Sequence, residues 1–260
     1  MSESGSYYIP HGSKWPIIAT VGVCTSMVGG SSLLNGSDIG KYILFAGLAI
    51  VVFMIVGWFS TVISESEDGL YDSQVDSSFR MGMIWFIFSE VMFFAAFFGA
   101  LYYVRAYSLP WLGGEGSGLA TNTFLWPEYE AIWPLTGNGP GEIGGDFKTM
   151  GAWGLPAINT AILLTSGVTL TWAHHALKEM KRMQLIIGLG LTVALGIIFM
   201  YLQALEYGHA FNDLNLNMGS GIYGSTFFML TGFHGFHVTI GTIMLICLLY
   251  TSPSPRDCRL

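Results

Sequence analysis

Six stretches of this chain are long and apolar enough to cross a bilayer: Pro16–Leu34, Lys41–Ile63, Met81–Val104, Leu155–Ala173, Leu185–Tyr207 and Ile222–Leu249. Each has about 18 or more mostly uncharged residues, the length a hydrocarbon core about 30 Å thick requires. Inside lipid every backbone polar group must bond within the protein, so such stretches form helices unless a closed barrel is available. No strand-like alternation of lipid-facing and lumen-facing residues is present. The expected class is therefore all-α, a polytopic transmembrane bundle. The first stretch is the weakest of the six, because Thr20, Thr25, Ser26 and the pair Gly29-Gly30 dilute it.

Composition agrees. Of 260 residues, 52% are hydrophobic and 10% charged. A net charge of −7 leaves no basic patch to neutralise phosphates, which excludes nucleic acid as a partner. Cys24, Cys247 and Cys258 lack metal-ligand spacing and outline no disulfide framework. The polar N-terminus has no basic region ahead of an apolar core, so no cleaved signal peptide is expected.

Glu90 stands out within MGMIWFIFSEVMFFAAFFGALYYV. It lies roughly 13 Å along that helix, near mid-membrane. A carboxylate at that depth costs at least about 2.5 kcal/mol and marks a functional position by default. The alternative is structural: a protonated Glu bonding to a neighbouring helix.

Lys178, Lys181 and Arg182 cluster after the fourth stretch, which predicts that this connection is cytoplasmic. Counting back, Lys14 and Arg80 join that side and the N-terminus is cytoplasmic; Lys41, Arg105 and Lys148 lie outside. The only long connection, 108–153, is therefore an outer loop. It carries Trp111, Trp126, Trp133 and Trp153 with Glu115, Glu128, Glu130, Glu142 and Asp146. A loop of that length is usually functional, and its acidity could steer a basic partner; a solvated lid with interfacial tryptophans fits equally.

The histidines raise the question of a metal. His174 and His175 end the fourth stretch, Glu206-x-x-His209 ends the fifth, and His234-x-x-His237 lies in the sixth. A di-iron bundle needs two Glu-x-x-His motifs and two further inward glutamates. One motif plus Glu90 falls short, so no metal is assigned. Glu206, His209, His234 and His237 are read as structural polar groups bonding between helices. His174 and His175 sit at a boundary where they can cap carbonyls or meet lipid phosphates. Gly188, Gly190, Gly196, Gly224, Gly232, Gly235 and Gly241 are expected to let helices approach closely. No Ser/His/Asp or Cys/His arrangement supports nucleophilic catalysis.

Four blocks carry a resemblance. RMGMIWFIFSEVMFFAAFFGALYY (Arg80–Tyr103), LPAINTAILLTSGVTLTWAHHAL (Leu155–Leu177), LQALEYGHAF (Leu202–Phe211) and IYGSTFFMLTGFHGFHVTIGT (Ile222–Thr242) resemble subunit III of the haem–copper cytochrome c oxidases, in order and spacing. The resemblance covers roughly Ser13 to Ile246. It implies seven helices, the first two separated from the rest by a lipid-filled cleft. It implies a non-catalytic subunit without cofactors of its own, haem and copper residing in partner subunits I and II. The complex oxidises cytochrome c, reduces dioxygen to water and pumps protons; this subunit would support stability, lipid binding and proton uptake. Bound phospholipids are implied, as is a bacterial cytoplasmic membrane, with cytochrome c as an indirect partner.

The resemblance places Glu90 on the family's intramembrane glutamate and Arg80 on the basic residue opening that helix. Trp58 and Glu65 fall near lipid-cleft residues, and with Arg80, His174 and His175 form the expected lipid or subunit contacts. Two features depart from the family. The family often ends its second helix with a tryptophan pair and Arg-Asp, where this chain reads WFST, Trp58–Thr61. The 108–153 loop is longer than in mitochondrial members and looks like a bacterial variant. Quinol oxidase subunit III is the alternative, but it typically lacks the first two helices, so cytochrome c is the expected donor. A stand-alone metalloenzyme is a remoter alternative.

Only six of seven helices are found. After Ile246 the chain reads CLLYTSPSPRD and then CRL, which resembles a sequencing adapter translated in frame. The expectation is a subunit III-like domain over 1–246 and a non-native tail over 247–260, to be settled by the source nucleotides.

Overall fold

The structure, a computed structural model, describes residues 12–134 and 145–251. Glu142 and most of the expected tail, 252–260, lie outside the described residues. Among those described, the fold is all-helical, with six helices long and apolar enough to span a membrane. They are α1 (Trp15–Leu34), α2 (Ile39–Glu67), α3 (Ser73–Tyr103), α6 (Leu155–Lys178), α7 (Arg182–Asn212) and α8 (Gly221–Thr251). A π-helical turn, Val104–Ser108, continues α3 into α4 (Leu109–Leu112); a 3-10 turn, Gly116–Gly118, leads to α5 (Leu119–Leu125). All six spans are longer than the apolar stretches that announce them, because helical bonding continues through polar ends such as Ser64–Glu67 and Ser73–Arg80. Helix α8 continues through Cys247 to Thr251, past the point where the apolar run meets the Pro/Ser tail.

Local chemistry sets the ends. Pro16 and Pro156 sit in the first turns of α1 and α6, where a missing N–H costs nothing. Helix α6 stops at Met180, which takes a left-handed φ of 58°. Its N–H bonds Leu177 O and that of Lys181 bonds Ala176 O, closing the last turn. Glycine fills the same role after α1, at Gly36 with φ 80°.

The chain divides into two compact units, Met1–Glu90 and Val91–Leu260. In the first, α1 packs antiparallel on α2. Gly22 faces Val51, Gly29 faces Leu44, Gly40 faces Leu33 and Gly47 faces Ser26. Each advance along α1 is matched by an equal retreat along α2, so the register holds through the whole seam. The glycines and small polar residues that weaken α1 as an apolar stretch are the ones that let the backbones meet. Trp15 closes the open end, donating from Nε1 to Thr61 Oγ1 at 3.1 Å and resting edge-on against Phe53.

In the second unit α7 is the central element, packing against both α6 and α8, and it is the most buried of the six spans. Ala173 faces Gly188, and Leu185 and Leu189 close over Ala173 and Ala176. Thr169 and Thr192 share a hydroxyl–hydroxyl bond of 2.7 Å across the α6–α7 seam. On the other side Gly196 meets Thr242, and Tyr207 and Thr231 bond at 2.8 Å. Gly190, Gly235 and Gly241 have no neighbour where a side chain would project, so close approach is confined to part of the expected glycine set.

Candidate functional site

Helix α3 presents no buried residue, and its flanks are Met81, Ile84, Trp85, Phe88, Val91 and Met92, all exposed. Such a helix is stable only where lipid or other protein covers it. Glu90 is half-buried and lies two residues from the midpoint of Ser73–Tyr103, so the carboxyl sits at mid-span. Beyond it the helix turns inward on aromatic contacts. Phe93 packs edge-on against Phe233 with ring centroids 4.9 Å apart, and Phe94 lies 5.8 Å from the His237 ring.

The other expected positions are distributed rather than assembled. Arg80 closes on Asp76, one turn earlier, through Nη2 at 2.8 Å and Nε at 2.9 Å, in an exposed pair. Glu65 accepts the Tyr71 hydroxyl at 2.7 Å across the turn joining α2 to α3. Trp58 is half-exposed and stacks on Phe59 at 5.6 Å. His174 and His175 are exposed on α6 with their rings 6.2 Å apart. His234 meets Phe199 edge-on at 5.6 Å.

The Glu-x-x-His motif does not act as one site. Glu206 is only 5% exposed, whereas His209 is exposed and pairs with Asp213 at 2.6 Å. A pair three residues apart shares a face only when both side chains turn towards it, and Asp213 draws His209 outwards. No group of three or more His, Cys, Asp or Glu side chains among the described residues could hold a metal ion.

The outer loop is fastened to the second unit. Lys148 N–H bonds Leu214 O at 2.9 Å and Asn215 Nδ2 bonds Asp146 O at 2.9 Å. Phe147, Ala210, Leu216 and Phe228 make a buried apolar cluster, and Phe147 stacks on Tyr223. Arg105 lies over the Trp133 ring, 5.6 Å from its centroid. Asn122 ties the loop internally, donating to Leu112 O and Trp126 O. Burial pushes the Tyr129 phenol up from its ordinary pKa. Glu115, Glu128, Glu130 and Asp146 are exposed. At the opposite side of the spans, Glu179 and Lys181 pair at 2.7 Å, and that hydrogen bond holds the Glu179 carboxyl below the usual carboxylate range.

Two cavities line the spans. An apolar groove of about 680 Å³ runs along α1 and α2 between Val23, Met27, Leu34, Leu44, Leu48 and Val51. An aromatic pocket of about 430 Å³ opens at the π-helical turn, between Tyr103, Tyr107 and Trp111. Sequence reasoning passed over Asp76, Tyr71 and Asp213, which hold three of the expected residues. The i, i+4 spacing of Asp76–Arg80 and His209–Asp213 was the available signal.

The sequence profile of the family described as "Cytochrome c oxidase subunit III" matches residues 5–124 and 125–254. Cytochrome c oxidase subunit 3 of Marchantia polymorpha is 37% identical over 247 residues, which is 95% of this chain and 82% of the relative. The same subunit of Squalus acanthias is 37% identical over 249 residues, 95% of this chain and 83% of the relative. A probable cytochrome c oxidase subunit 3 of Rickettsia felis is 35% identical over 247 residues, covering 95% and 81%. With both halves of its span architecture matched and nearly its whole length aligned, the chain belongs to the cytochrome c oxidase subunit III family.

Proposed function

We propose that the chain is a non-catalytic membrane subunit of a proton-pumping cytochrome c oxidase, seated against subunits I and II in a bacterial cytoplasmic membrane. Haem and copper belong to those partners, and cytochrome c reaches the complex without contacting this chain's spans. The role of this chain is to stabilise the catalytic subunit, to hold phospholipid and to support proton uptake. The observation that carries the reading is Glu90: a half-buried carboxyl at the middle of a helix otherwise open to lipid or protein neighbours. A charge-bearing group is retained at mid-membrane only where it is used.

Lipid binding is supported by the apolar groove on α1 and α2, whose volume and lining suit acyl chain. Trp58 and the exposed His174 and His175 lie where headgroups and partner helices are expected. The basic residues Lys178, Lys181 and Arg182 favour a cytoplasmic α6–α7 connection and hence a cytoplasmic N-terminus.

The test is purification of the tagged chain, gently solubilised from its own membranes, with a reduced-minus-oxidised haem spectrum and metal content before and after partners are stripped. Haem and copper should leave with the larger subunits. Metal that stays with this chain alone overturns the reading. In the assembled complex, Glu90→Gln should retain the haem spectrum and subunit composition but change proton uptake or shorten the lifetime of turnover. Failure of assembly would instead make Glu90 structural.

A further inference from the structure

Three buried amide atoms in the second unit have no protein partner: Asn159 Oδ1, Asn159 Nδ2 and Gln203 Nε2. Asn159 is 4% exposed on α6, one turn inside the start of that helix. Its place relative to α7 follows from the seam. Ala173 faces Gly188 and Thr169 faces Thr192, four residues forward on α7 for four back on α6. Carried on at the same pitch, this register brings Asn159 level with Leu202 and Gln203. Asn159 also lies two heptads from Ala173, hence on the stripe that meets α7, and Gln203 lies two heptads from Leu189, a member of the same seam. One turn further out, the buried Glu206 continues the stripe of Thr192 and Phe199.

Leaving buried amide groups unpaired costs about 1–3 kcal/mol each, and in hydrocarbon nothing else can pair them. Asn159 is too buried for a partner subunit's side chain to reach without displacing α6 or α7. A small molecule that both donates and accepts satisfies all three atoms, and a buried water commonly makes about three such bonds. Outside Glu206, the apolar cluster of Phe147, Ala210, Leu216 and Phe228 covers this end of the seam. We propose that Asn159, Gln203 and Glu206 form an internal water site in the α6–α7 seam, closed from the outer face by the Phe147 cluster. The site is independent of the role assigned to Glu90.

The test is a structure of the intact membrane complex containing this chain, in native lipid, at a resolution that shows ordered water. A water peak within hydrogen-bond distance of Gln203 Nε2 and an Asn159 side-chain atom is expected. A direct Asn159–Gln203 bond without water, or a lipid or partner-subunit atom in that place, overturns the proposal. In Asn159→Leu/Gln203→Leu the peak should be lost with the haem spectrum unchanged; a peak that persists means other groups hold the water and also overturns it. Should that variant fail to assemble, the unaltered complex decides alone.

Discussion

The two interhelical seams of this protein solve one problem in different ways. Along α1–α2, glycines bring backbone against backbone: a Cβ on Gly29 would stand 2.6 Å from Leu44 Cα, and Gly22, Gly40 and Gly47 are similarly closed. Along α6–α7 the contact is made by alanine, one glycine and paired threonine hydroxyls, and buried polar side chains persist at its outer end. Lipid offers no hydrophobic drive between helices, so association rests on close packing and hydrogen bonds. The first seam relies on packing alone and tolerates no added atom. The second spreads its stability over side chains and an outer cap, and each contribution there is smaller.

That contrast is open to direct attack. The largest effect is expected from Gly29→Val, whose side chain meets the Leu44 backbone; more than about 4 kcal/mol should be lost. Thermal unfolding and yield of the purified complex measure it. Gly30→Val is the control, since nothing lies within 4 Å of its Cβ position. If both substitutions behave alike, the seam is not set by backbone approach.

Phe147→Ala comes next. It removes the side chain of a residue 8% exposed from the cap over α7 and α8, and about 3 kcal/mol or more is expected. Proteolysis of the 108–153 loop should accelerate in step. A loop equally resistant in the variant would mean that its backbone bonds to Leu214 and Asn215 suffice. Weaker still is the threonine pair. A double-mutant cycle with Thr169→Val and Thr192→Val should return a coupling of about 0.6 kcal/mol. A coupling of several times that would erase the contrast between the seams.

The smallest effects are those of pH at the two ends. Tyr129 keeps its proton in the folded state above the pH at which the unfolded chain releases it. Stability therefore falls as pH rises past about 10, and Tyr129→Phe should flatten that limb. Glu179 behaves oppositely: its carboxyl is depressed by Lys181, so its contribution is present at neutral pH and disappears as pH falls through the folded pKa. Glu179→Gln should remove that acid-side dependence, read as unfolding midpoint against pH. Because this pair is fully exposed, high salt should mask it.

Much of the architecture was legible in the residues. Every apolar stretch is a helix, since length and lipid leave no other choice. Glu90 was visible as a mid-span carboxylate because its neighbours are uniformly apolar. The four blocks carried the family. Site geometry was far less legible. Glu206 and His209 read as a facing pair, yet one is buried and the other turns to Asp213. Spacing fixes the positions of Cβ atoms but not the competition among nearby partners for each side chain. The acidic outer loop left a lid and a docking surface equally open; Phe147 seated among Ala210, Leu216 and Phe228 could not be read from one segment, because that cluster joins residues far apart in the chain.

The sequence by itself determined the number of spans, the all-helical class and the depth of Glu90, since these depend on local hydrophobicity and helical rise. Only the tertiary structure decided which glycines make contact, that α7 is central to its unit, and that Asn159 and Gln203 lie level across a buried seam. Those outcomes depend on register between helices, which is set by the best mutual packing of whole faces and not by any one segment.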